Sequence, residues 1–103
     1  MLENWTPELF EQAVNSRFEI ELPGRGRQEL ELIALTRYPS SPAFLSFAAL
    51  FRGPLEPSFG QGIYVIRHER MGQNELFLVP VGREADGMRY EAVFNRLTKP
   101  SEN

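Results

Sequence analysis

Cysteine is absent from the 103 residues. That removes disulfides, thiolate metal sites and a cysteine nucleophile together, leaves the fold to packing alone, and fits a reducing cytoplasm. Lysine is almost absent too, since ten of the eleven basic residues are arginine, and fourteen acidic residues leave a formal charge of -3. A chain with that balance has no net basic face for nucleic-acid phosphates. The arginines suit protein interfaces, where a planar guanidinium binds carboxylates and stacks on rings, although a GC-rich coding sequence gives the same bias. No apolar run approaches the roughly 20 residues a membrane helix needs. Met1, Leu2, Glu3 and Asn4 lack the basic and apolar regions of a signal peptide, so a soluble cytoplasmic protein with no membrane contact is expected. The chain has no internal repeat and no low-complexity segment.

What is present is an ordinary globular composition, 42% hydrophobic and 24% charged, long enough to bury roughly two-thirds of the unfolded surface in one core. One domain over residues 1–95 with a frayed tail over 96–103 is expected. Residues 60–95 organise it, reading as three strands near 61–69, 75–81 and 88–95. Ile63, Val65, Phe77, Val79, Val81, Tyr90, Ala92 and Phe94 recur with a period near two and are expected to share the buried face. Pro80 lacks an amide hydrogen, so the second of these strands is an edge or is bulged there.

Upstream, Thr6 can cap a helix over residues 5–14, Pro7 suits its first position, and Trp5 and Phe10 occupy hydrophobic-staple positions. A strand over 17–22 follows, with Phe18, Ile20 and Leu22 inward and charged residues outward. A Pro23-Gly24-Arg25-Gly26 turn leads to a strand over 28–38 that starts with Leu30 and Leu32 inward. Its alternation breaks at Ile33, which predicts a bulge or sharp bend there. Pro39-Ser40-Ser41-Pro42 reads as a loop. Residues 44–51 are apolar on both phases, which predicts a strand interior to the sheet and covered on both faces, with the helix as one cover. The pattern as a whole gives an α+β fold: a short N-terminal helix on a bent antiparallel sheet, or small open β-barrel, of about six strands.

No spacing of a nucleophile triad, metal site or phosphate loop occurs. His68, the only histidine, lies beside Glu69 as a general base would, but it lacks a second histidine, a thiolate or a partner at motif spacing. A strand-end residue satisfied by a backbone bond accounts for it. Glu69, Glu75 and Glu91 can meet across strands as paired carboxylates or lie on a solvated face. Gly24-Arg25-Gly26 and Gly60-Gln61-Gly62 are fragments of phosphate-loop patterns without the third glycine or the following helix. Tyr64, Phe77, Tyr90 and Phe94 can stack bases, yet interleaved glutamates favour core packing. Gln61, Asn95 and the Tyr90-Glu91 pair suit strand-end ties or ligand contacts. In the loop over 53–60, Pro54 and Pro57 limit disorder while Leu55 and Phe59 offer apolar anchors to a partner. The candidate interaction residues are therefore Leu55, Phe59, Gln61, Tyr64, His68, Tyr90, Glu91 and Asn95. No catalytic residue, cofactor or metal ligand is assigned.

Phe10, Phe18, Phe47 with Gly53-Pro54, Gln61-Gly62-Ile63-Tyr64 with His68, Gly72, residues 76–82 and residues 90–95 together resemble a family of small bacterial domains known as a domain of unknown function. Members of that family are associated with phage-tail-like or tail-collar proteins, which implies a structural or interaction role and brings no catalytic residues. The expected function is a non-enzymatic structural or protein-binding module whose partner is another protein or a second copy of the chain. A small-ligand-binding β-barrel and an enzyme of unknown reaction are the alternatives.

Overall fold

The Thr6 hydroxyl accepts the amide of Leu9 at 3.2 Å, and Pro7 opens a helix, α1 (Pro7–Gln12), that is only six residues long. So short a helix needs tertiary packing, and Trp5 and Phe10 supply it. Their rings meet edge-on at 5.7 Å, and both also contact Phe18. The computed structural model describes residues 5–39 and 44–97. After α1 come six strands: β1 (Arg17–Leu22), β2 (Gly26–Tyr38), β3 (Phe44–Gly53), β4 (Gly62–His68), β5 (Gly72–Glu84) and β6 (Gly87–Leu97). The chain thus has the one short helix and six antiparallel strands expected, but it is mostly sheet rather than clearly α+β. Most of the loop expected at 39–42 lies outside the described residues. So does the tail beyond 97, while Arg96 and Leu97 extend β6.

The strands pair in a ring, β1-β2-β3-β6-β5-β4, and β4 returns to β1 through Glu19–Arg67 and Ile20–Ile66. Among the described residues the ladder closes as a small barrel, so the two free edges of an open sheet are not found. β3 lies between β2 and β6 along its length, as its uncharged sequence predicted. Register shifts occur between Leu32 and Ala34, where a bulge or sharp bend was expected, and between Pro80 and Gly82, where an edge or a bulge was. At the first, the Asn15 amide donates to Leu32 O (2.7 Å) and the Leu32 amide donates to Ser16 O (3.1 Å), so the end of α1 is stitched to the bulge. Asn15 adopts φ 73° there, a left-handed conformation that Asn tolerates better than most residues.

Phe18, Ile20, Leu22, Leu30 and Leu32 point inward as expected, as do Tyr90, Ala92 and Phe94 of β6. On β4 and β5 the expected phase is reversed. Ile66 and His68 face the core with Leu76 and Leu78, while Ile63 pairs with Phe77 on the outside. Both phases of these strands are apolar, so alternation alone does not choose between them. Charge does: putting Ile63 and Val65 inside would carry Arg67 into the core, and putting Phe77 inside would carry Glu75 with it. Facing out, Arg67 reaches Glu21 at 2.6 Å.

The outer phase of β3 is half-buried at Ser46 and Leu50 and buried at Ala48. The helix does not cover that face. Phe10 enters from one end of the barrel, against Phe47 at 6.0 Å and Phe94 at 5.5 Å on the inner phase. Trp5 Nε1 donates to Met71 O at 2.9 Å, and Arg96 donates to Trp5 O and sits over the Phe47 ring. The segment is a plug, tied to β4–β5 on one side and β6 on the other.

Candidate functional site

The sequence-predicted interaction residues fall in separate places. Phe59 is buried, with its ring stacked 3.9 Å from Tyr90 and its amide donating to the Tyr90 hydroxyl at 3.2 Å. Tyr64 closes the same cluster, edge-on to Phe59 at 4.8 Å and donating to Gly60 O at 2.7 Å. Burial raises the Tyr90 phenol above its ordinary pKa, so it stays neutral and hydrogen-bonded. Phe59 is thus not an exposed anchor; it fills the barrel end opposite Phe10. Leu55 is half-buried and Gln61 exposed in the same loop. Glu91 and Asn95 lie on the outer face of β6, where Asn95 accepts from the Ser46 hydroxyl at 2.6 Å. Glu69, Glu75 and Glu91 do not meet, and no group of three or more His, Asp or Glu side chains among the described residues is placed to hold a metal.

His68 belongs to a buried hydrogen-bonded chain. Its Nδ1 accepts the backbone amides of Arg70 (3.1 Å) and Met71 (3.3 Å), so the ring proton sits on Nε2. Nε2 donates to Ser16 Oγ at 2.8 Å, and that hydroxyl donates to Ala13 O at 2.5 Å. A serine–histidine pair that activates the serine needs the reverse arrangement, with an unprotonated Nε2 accepting from the hydroxyl. In this geometry both ring nitrogens are committed, and the chain of bonds clamps the β4–β5 turn to the end of α1. Arg17 and Glu19 of β1, Glu29 of β2, and Arg67 and Glu69 line a groove of about 350 Å³ beside the ring.

Ile20, Leu30, Leu32, Ile66, Leu76 and Leu78 point into the interior and are all but inaccessible. A groove of about 460 Å³ opens on the surface, where the β1–β2 turn and the start of β4 diverge beyond the short β1–β4 seam.

The outer surface divides in two. Around β1, β2 and the end of β4, carboxylates and guanidiniums alternate. Arg67 and Arg27 both reach Glu19 and Glu21, Arg17 reaches Glu29, and Arg52 bridges Glu31 and Asp86. Across β4, β5 and β6 the face carries exposed apolar side chains. Ile63 is 69% exposed, Phe77 51%, Val81 50% and Val93 55%, with Ile63 and Phe77 directly opposed. Sequence reasoning placed Ile63, Phe77 and Val81 in the core; the in-phase charges Arg67 and Glu75 were the signal that they lie outside.

The matched segment of a known family model, residues 5–94, begins at the buried Trp5 and ends at Phe94, so it takes in the plug and every inward aromatic described above. Its description is a domain of unknown function, DUF6916. The chain belongs to this family. No curated relative and no solved structure matches it. For DUF6916 the matched span therefore coincides with the closed barrel and its plug, and it contains the exposed β4–β5–β6 face as well. No helix among the described residues is long and apolar enough to cross a membrane.

Proposed function

We propose that this DUF6916 domain is a non-catalytic protein-binding module that docks through the outer face of β4, β5 and β6. The observation that carries the reading is the exposed cross-strand pair Ile63–Phe77, continued by Val81 and Val93. A barrel whose inward phase already forms the core gains nothing for its fold from a second apolar layer facing water, whereas contiguous exposed apolar residues mark interaction surfaces. Among the described residues the outer side around β1, β2 and the end of β4 carries ion pairs instead, so this face differs from it in kind. The resemblance to small bacterial domains of phage-tail-like proteins supplies the setting: a structural part of a cytoplasmic assembly of that kind.

Photo-crosslinking in the native cell tests the proposal. A photoreactive residue at position 77 is expected to capture a partner, and one at position 29, on the ion-paired side, is not. Equal capture at both positions, or none at 77, contradicts the reading.

A further inference from the structure

Three exposed or half-exposed carboxylates, Glu75, Glu84 and Glu91, form no ion pair among the described residues, and all three lie on β5 or β6. The acidic residues around β1, β2 and α1, by contrast, are paired with arginines. The β5–β6 ladder ends at Val79–Glu91, and Phe77 and Val93 each lie two residues beyond it, exposed on the same outer phase. With Ile63 opposite Phe77, they give an apolar row over β4, β5 and β6. Glu75 stands two residues from Phe77, and Glu91 two residues from Val93. Because β5 and β6 are antiparallel, the two carboxylates flank the row on opposite sides, about 13 Å apart along the strands at the usual rise per residue.

Resting on the docking reading above, we infer that the occupant of this face is a basic amphipathic helix, its apolar stripe on Ile63, Phe77 and Val93 and its lysines or arginines against Glu75 and Glu91. A helix with its side chains is about 10–12 Å across, which matches the separation of the carboxylates when it lies along the row. Charge complementarity selects the partner. A second copy docking face to face would oppose like charges, Glu75 and Glu91 against their own equivalents, at a cost that specific interfaces avoid.

Three synthetic helices with one apolar stripe and Lys/Arg, Gln or Glu flanks serve as probes, with binding read by fluorescence anisotropy at low and raised salt. The basic helix is expected to bind several-fold more tightly than the glutamine one, and the acidic helix least. The advantage shrinks with salt, as interactions between exposed charges do, and it disappears in the Glu75→Gln/Glu91→Gln variant while the glutamine helix binds as before. A preference for basic flanks that survives in that variant, equal binding of the acidic helix, or no binding of any helix overturns this occupant. So does concentration-dependent self-association in sedimentation that Phe77→Thr abolishes, which would name a second copy instead. Helix binding indifferent to Phe77→Thr removes the docking face itself, so the two failures are distinguishable.

Discussion

His68 shows what a single residue can reveal. A strand-end histidine satisfied by backbone was readable from the sequence, because the turn that follows brings its own amides within reach of Nδ1. Ser16, 52 positions away, was not, because only the closed ring brings the end of α1 beside β4. Burial first, then the positive charge of Arg70, holds the imidazole below its ordinary 6.5, with Glu69 opposing. The unfolded chain therefore takes up a proton near 6.5 and the folded chain only at lower pH. The stability His68 contributes is complete above that value and is lost as pH falls below it. Melting temperature measured from pH 8 to pH 5 is expected to fall below pH 6.5 in the wild type and to fall less in His68→Asn, whose amide oxygen can still accept the turn amides. Parallel curves would show that His68 does not titrate on unfolding. At the other end of the barrel, Tyr90→Phe leaves the buried Phe59 amide without an acceptor. It is expected to cost about 1–3 kcal/mol and to speed hydrogen exchange at Phe59. An unchanged denaturation midpoint would mean that the bond is dispensable.

At the scale of elements, the N-terminal plug was largely legible. Cap, proline and staple are local features, and the structure places all of them. Its length was overestimated, because residues 13–15 turn to meet β2 at the Leu32 bulge, a contact that local sequence does not report. Trp5→Ala or Phe10→Ala is expected to cost roughly 3–5 kcal/mol each, the range for large aromatics removed from a core. Urea denaturation checks this, and losses below about 1 kcal/mol would show that the plug is peripheral. The β5–β6 hairpin depends on Gly87, whose φ of 144° and close approach to the Gly53 carbonyl leave no room for a Cβ. Gly87→Ala is expected to be far more destabilising than Gly60→Ala, which meets open space. Comparable midpoints for the two would contradict that geometry. The bulges at Ile33 and Pro80 were legible because each breaks a strand rule. The phase of β4 and β5 was misread because hydrophobicity was weighed without the charges that share each phase.

For the molecule as a whole, the closed ring explains why a chain without cysteine holds together. Every strand is paired on both sides somewhere along its length, and aromatic clusters close both ends: Trp5, Phe10, Phe18, Phe47 and Phe94 at one, Phe59, Tyr64 and Tyr90 at the other. The fold consumes one apolar phase of β4 and β5 and leaves the second in water, and on that division the proposed docking face rests. Chemical denaturation of two matched double variants tests it most directly. Ile63→Thr/Phe77→Thr alters only the outer phase and is expected to change stability by about 1 kcal/mol or less, the scale of exposed substitutions and a lost cross-strand pair. Ile66→Thr/Leu76→Thr alters the inner phase and is expected to lose roughly 2–5 kcal/mol at each site, enough to unfold the domain or nearly so. If the outer pair costs as much as the inner pair, Ile63 and Phe77 belong to the core and the docking face does not exist.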